Sequence, residues 1–472
     1  MTSPRYRETL EHLFGLRRFG MHPGLDVIRA ILRALDDPQK EFPAIHVAGS
    51  KGKGSVSAIA AELLGAHGRR TGLFTSPHLQ SYRERMQIDR QPISHQHVVE
   101  GVERVAAIVE ELLGRGLIDR PATFFEVTTA LALDWFARER VDCAVIEVGI
   151  GGRLDSTNVL RAPVGIITTI ELEHTELLGS TLEAIAREKG GILQPGMHAM
   201  VGSLPSSPLR EIDRIAGPLG VPVWRLGREV RVTERSLSAK GQRFSVSLPT
   251  GMIEGLDLPL QGTFQPSNAA LALAGVDRFA SATGLTLEPR KLRIGMARVR
   301  WKGRLELVRR RPDLILDVAH TPESAKAIAE SLLELRPFLD AADNAILFGC
   351  LADKRVEPML DAYSTLARSL VVTPIASSRS ASPSDLVRAG AGKFATVVRA
   401  RSAAEGLALA RAATKSSGFT LVVGSDYLAG ETLNHLEGKD PDEPDLSDPG
   451  QLSPSPVNWE PPPVREQVQH GP

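Results

Sequence analysis
The chain has 472 residues, 42% of them hydrophobic, which is enough for two or three domains with cores of their own. Lysine plus arginine balances aspartate plus glutamate at 56 each, which excludes a global electrostatic attraction to nucleic acid or to an anionic membrane surface. The first residues lack the apolar core of a signal peptide and no run of about twenty apolar residues is present, so the expectation is a soluble, cytoplasmic protein.

Short apolar runs alternate with segments of helical period, the pattern of parallel α/β sheets. "AIHVA" (44–48) predicts a strand. After a glycine-rich turn, Val56, Ile59, Ala60, Leu63 and Leu64 recur at helical spacing and predict a helix over 55–67. "CAVIEV" (143–148) and "GIITTI" (165–170) predict further strands, with Cys143 buried and reduced. "STLEAIAREKGGIL" (180–193) predicts a helix opened by a Ser180/Glu183 capping box, and 221–262 reads as a less regular stretch of strands and turns. A second alternating series then begins, with strands predicted at 313–319, 344–349, 369–374, 395–400 and 419–425. The second cysteine, Cys350, follows an apolar run of this series, and no disulfide is expected. The restart predicts a second α/β domain, with a boundary and hinge near Val299 to Gly303. From Gly438 the last 35 residues hold nine prolines and many acids, which predicts a disordered tail over 438–472.

The turn after the first strand, "HVAGSKGKGS" (46–55), carries Lys51, Gly52, Lys53, Gly54 and Ser55 between a strand and a helix. Glycines let a backbone approach an anion closely, and the helix amino terminus adds donors, so the segment has the makings of a phosphate cradle. It departs from G-x-x-x-x-G-K-[ST]: Val47 stands at the first glycine position and Gly54 separates Lys53 from Ser55. A glycine-rich βα turn without a ligand is the competing reading.

Ligands of open α/β sheets bind at the carboxyl ends of the strands. Glu147 lies at such an end, His174 follows the next strand in "ELEHTELLG" (171–179), and Ser76 sits in "TSPHL" (75–79). Magnesium prefers oxygen ligands and bridges nucleotide phosphates, so one carboxylate and one hydroxyl from the protein suffice for it. Taken singly, Glu147 reads equally as a capping or solvated acid, His174 as a hydrogen-bonded loop histidine and Ser76 as a turn serine.

Together with these, "TFFEVTTALAL" (123–133), "EVGIGGRLDSTN" (147–158), "EHTELLGSTLEAIAREKGGI" (173–192), "WKGRLE" (301–306) and "DVAHTPESA" (317–325) occur in one order and spacing. Over roughly residues 5–435 the chain resembles the folylpolyglutamate synthase/dihydrofolate synthase family of the Mur ligase superfamily. The resemblance implies a P-loop-type ATP-binding domain over 1–298, a smaller Rossmann-like ligase domain over 304–435, and ATP-dependent joining of L-glutamate to a pterin or folate acid through an acyl phosphate. It implies that Lys51, Gly52, Lys53 and Gly54 hold ATP phosphates, that Asn268, Arg304 and Asp317 contact the nucleotide, and that His320 lies near the incoming amino acid. Ser76, Glu147 and His174 become magnesium ligands, and Lys189 a lysine whose carbamylation would help to hold a second magnesium. Phe124 and Asp155 resemble pterin-side positions. The partners implied are small molecules, with no nucleic acid and no membrane, and the protein is expected to be a monomer.

The chain departs from the family pattern at Lys51, Phe264, Glu171, Glu173, Val318 and Thr321. Most of these changes lie around the base, hinge and amino acid positions and leave the implied metal ligands intact. They keep two alternatives in view: a diverged ligase of the same superfamily acting on another carboxylic acid, and a nucleotide-binding regulatory protein without turnover.

Overall fold
A computed structural model describes residues 4–16, 22, 24–238, 241–336 and 339–439. The greater part of the predicted tail, 440–472, lies outside the described residues. Among the described residues no helix is long and apolar enough to cross a membrane.

The first sheet has eight strands: β1 Ala44–Ala48, β2 Thr71–Phe74, β3 Met86–Ile88, β4 Gln91–Pro92, β5 Cys143–Glu147, β6 Val164–Ile167, β7 His198–Val201 and β8 Val223–Arg225. Their order is β4-β3-β2-β5-β1-β6-β7-β8, with β3 and β4 antiparallel at one edge and the other six parallel. Alternate residues of the central strands enter two different cores. Ala44, Ala48, Phe74, Ala144 and Ile146 face one, while Ile45, Val47, Leu73, Cys143 and Val145 face the other. Burial on both faces explains why these strands read as unbroken apolar runs. It also buries the Cys143 thiol, pushing it up to about 11.

Residues 221–262 are more regular than their sequence implies. After β8 they form a three-stranded antiparallel sheet of β9 Arg231–Ser238, β10 Gly241–Leu248 and β11 Gly251–Leu258. Phe244, Val246, Leu248, Leu256 and Leu258 turn inward, whereas the outward charges of β9 break the apolar pattern a sequence reading relies on. The helix predicted over 180–193 spans Leu182–Gly190, and its cap is Thr181 rather than Ser180. Thr181 is the extended residue directly before the helix, and its side chain accepts from Ala184 N at 3.1 Å.

The third sheet comprises β12 Glu306–Arg309, β13 Asp313–Leu316, β14 Ala345–Phe348, β15 Ser369–Val372, β16 Thr396–Arg399 and β17 Phe419–Val423, in the order β12-β13-β17-β14-β15-β16. Five of these are the predicted second series. The antiparallel edge strand β12 carries no comparable signal. Cys350 is buried beyond β14, its thiol pushed up to about 12, and both cysteines are free.

Candidate active site
A cavity of about 1010 Å³ opens where the carboxyl ends of β1, β5 and β6 face the six-stranded sheet. Helix amino termini reach its wall, among them those of Lys53–Ala66, Phe124–Arg138, Gln265–Thr283, Pro322–Leu335 and Asp426–Glu437. Unpaired N–H groups and helix dipoles at such ends favour an anion.

The glycine-rich turn is pinned to the chain beyond β6. Lys51 N donates to Thr169 Oγ1 at 2.8 Å, and Lys51 O accepts from Thr168 Oγ1 at 2.5 Å. A Cβ at Gly49 would overlap the Thr168 hydroxyl, and one at Gly52, whose φ is +83°, would lie 2.7 Å from Asn268 Oδ1. Two of the glycines are therefore demanded by the close approach of neighbouring chain. The helix begins at Lys53, two residues earlier than predicted, and Lys53 Nζ donates to Gly49 O at 3.0 Å.

Ser76, Glu147 and His174 line the same cavity as Lys53. Ser76 N donates to Glu147 Oε2 at 3.2 Å. Burial pushes the Glu147 carboxyl up to about 7 against the nearby charge of Lys53. His174 takes a left-handed conformation at the start of a helical turn, and burial lowers its imidazole, favouring the neutral form that a metal binds. Among the described residues no group of three or more His, Cys, Asp or Glu side chains is gathered for a metal. The mixed set of hydroxyl, carboxylate and imidazole still suits a cation that takes part of its ligands from phosphates and water.

Lys189 does not line the cavity. It stands behind the wall, with Nζ 2.9 Å from Glu173 Oε1. Burial lowers its ammonium to about 8. Burial works the other way on Glu173, but the charges of Lys189 and Lys53 prevail and hold it at about 2.

Asn268, Arg304, Asp317 and His320 reach the cavity from the other side. Asp317 is fully engaged: Leu305 N donates to Oδ2 at 2.8 Å and Ala319 N to Oδ1 at 2.7 Å, so its carboxylate braces the chain at the entry to the six-stranded sheet. Burial pushes it up to about 6. The His320 ring meets Val318 O through Nδ1 at 2.9 Å, leaving Nε2 for the cavity, and burial lowers its pKa. The departures nearby have packing roles. Thr321 caps the helix Pro322–Leu335 in a box with Ser324, Val318 rests against Gly303, and Phe264 packs on the core of the six-stranded sheet.

Phe124 lines the cavity, stacked on Phe14 at 5.6 Å between centroids. Asp155 also reaches it, yet its oxygens accept from Ile150 N at 3.0 Å and from Thr157 N and Oγ1 at 3.0 and 2.5 Å. It thus closes its own loop, and Thr157 Oγ1 is met in turn by the buried His46 Nε2 at 2.9 Å. Arg85 and Asp426 are cavity residues that sequence reading missed. Arg85 Nε donates to His78 Nδ1 at 2.7 Å and its guanidinium lies 5.2 Å from the Phe124 ring centre, but in "SYRERMQ" it reads as surface charge. Asp426 follows a predicted strand, and only its strand-end position hints at a site.

Residues 47–276 match the Mur ligase middle domain and 303–425 the Mur ligase glutamate ligase domain. The chain is 36% identical over 402 residues to the dihydrofolate synthase/folylpolyglutamate synthase of Mycobacterium tuberculosis, covering 82% of this chain and 81% of that one. It is 34% identical over 372 residues to the folylpolyglutamate synthase of Lacticaseibacillus casei, covering 78% and 85%. The chain belongs to the folylpolyglutamate synthase/dihydrofolate synthase family. The fold agrees: the Mycobacterium tuberculosis folylpolyglutamate synthase complexed with ADP superposes with a TM-score of 0.85 at 33% identity, over 92% of this chain and 99% of that one. As a member of this Mur ligase family the protein is an ATP-dependent ligase.

Proposed function
We propose that the protein joins L-glutamate to dihydropteroate, to a folate, or to both, by way of an acyl phosphate. The observation that carries the reading is the meeting of a phosphate loop with Ser76, Glu147 and His174 in one cavity, walled on the far side by Arg304 and His320. ADP bound in a relative of the same fold supports placing the nucleotide phosphates at Lys51–Ser55.

In this reading Lys53 leaves the carbonyl of Gly49 and turns to the phosphates, where negative charge develops as the substrate carboxylate attacks. Asn268 and Arg304 fix the nucleotide, Phe124 offers an apolar face to the pterin, and Asp155 keeps the loop beside it in shape. His320 orients the incoming amine. Magnesium held by Ser76, Glu147 and His174 would neutralise charge on the phosphoryl oxygens. A second magnesium and a carbamate on Lys189 belong to the same reading. They require Glu173 to release the amine, whose lowered pKa makes the neutral form accessible. The protein is taken as cytoplasmic, in keeping with two free, buried thiols, and as a monomer.

The test is magnesium-dependent ADP release over a panel of pterin and folate acids, each with and without L-glutamate. Release that requires both a pterin or folate acid and glutamate is expected. Release with an unrelated acid, or with none of them, overturns the substrate assignment.

A further inference from the structure
We propose that Leu79 and Gln80 are positioning residues that transmit the seating of the six-stranded unit to the loop bearing Ser76, and that Gly430 makes this seating possible. The inference rests on the reaction proposed above but concerns residues outside the cavity.

Leu79 belongs by sequence to the segment after β2, yet its side chain packs with Leu314, Leu316, Val422 and Leu428 in a core of the six-stranded unit. Its backbone is held on its own side, since Leu79 N donates to Glu84 Oε2 at 2.8 Å. Gln80 Nε2 donates across the boundary to Asn434 Oδ1 at 3.0 Å and to Glu437 Oε2 at 3.1 Å. Lys302, beside the hinge, joins the group: its Nζ donates to Gln80 Oε1 and lies 3.4 Å from Glu437 Oε1. Loop, hinge and last helix are thus tied at one point.

Gly430 lies inside the helix Asp426–Glu437, where glycine is unfavourable by about 1 kcal/mol relative to alanine. A Cβ there would overlap Leu79 O and stand 3.0 Å from Leu79 C, both backbone atoms that cannot swing aside. Gly303 repeats the pattern at the hinge, where a Cβ would lie 2.9 Å from Val318 Cγ1 and 3.1 Å from Leu79 Cδ1. Leu79 is therefore clasped between two glycines, three residues from Ser76. Ser76 N in turn bonds Glu147 Oε2, so a shift of the clasp moves the side of the site that faces the phosphates.

Unseating the clasp also admits water. Water then attacks the acyl carbon, the bond from that carbon to the phosphate oxygen breaks, and free acid and inorganic phosphate leave while ADP is released without amide.

The experiment compares Leu79→Ala, Gly430→Ala and Gln80→Ala with the rescue variant Leu79→Met, measuring ADP released per amide formed, kcat and the KM for ATP. The wild-type ratio is one. In the disruptive variants the ratio rises above one and kcat falls about tenfold or more, the scale expected of a misplacement near 1 Å, while the KM for ATP moves much less. Leu79→Met restores both. Gln80→Ala, which removes only the polar ties to Asn434, Glu437 and Lys302, carries the test if either core variant fails to fold. Folded variants that keep a ratio of one and kcat within twofold of wild type overturn the proposal. A wild type that releases no ADP with any folate acid instead overturns the reaction reading, and an increased radius of gyration for Gly430→Ala by X-ray scattering would then still support the clasp.

Discussion

Lys189 and Glu173 form an ion pair of 2.9 Å in which the lysine side chain is only 2% exposed. Glu173 lines the cavity and Lys189 stands behind it, so a carboxylate at the wall is neutralised from inside the protein.

Removing one partner leaves an uncompensated buried charge. Glu173→Gln is expected to destabilise the protein by about 3–5 kcal/mol, the range for breaking a buried pair. The double variant Glu173→Gln/Lys189→Met should recover most of that loss. Chemical denaturation of the three proteins checks it.

Glu147 gives a signed pH dependence. Its folded pKa, pushed up to about 7, exceeds the ordinary 4.5, so the folded chain binds the extra proton between those values and stability falls as pH rises from about 4.5 to about 7. Glu147→Gln should flatten that slope, with a gain on the order of 3 kcal/mol above pH 7. Asp317, pushed up to about 6, tilts both curves the same way, so their difference isolates Glu147. Melting temperatures over pH 4–8 read the effect.

Lys53→Ala should lower kcat by about 10²–10³-fold, the range for removing one donor to developing charge. Circular dichroism should be unchanged, because the lysine bonds only carbonyls of its own loop. Steady-state ADP release measures the loss.

Gly52→Ala combines a positive φ with a collision on Asn268. A backbone cost of about 1–3 kcal/mol corresponds to about 10- to 100-fold weaker ATP binding if it falls on the bound loop. Gly68→Ala, at φ +78° with nothing within 4 Å, provides the control: strain without loss of nucleotide affinity. Titration with a fluorescent ATP analogue separates the two.

Trp301 lies against the phosphate loop, its Nε1 3.1 Å from where a Gly54 Cβ would stand. Adding ATP should change the intrinsic fluorescence, and Trp301→Phe should abolish the change while leaving binding measurable by calorimetry.

Elements that bury both faces were legible from sequence, because an unbroken apolar run leaves few alternatives; β1, β5, β13 to β15 and β17 are of this kind. β2 is a four-residue run whose middle is glycine, and β9 presents arginines to solvent, so neither stands out. At the site, the motif residues could be placed because they follow strand ends. The engagement of Asp155 and Asp317 could not, since the amides that close on each carboxylate meet it only through the folded turn. Thr321 shows the same limit: it departs from the family pattern directly after the cavity residue His320, yet its hydroxyl is occupied in capping a helix.

Both native thiols are shut inside cores and held protonated well above neutral pH. The protein therefore comes as its own blank background for chemical labelling. A pair of cysteines introduced on opposite rims of the cavity would take up dye alone, and the distance between the dyes would report opening and closing molecule by molecule.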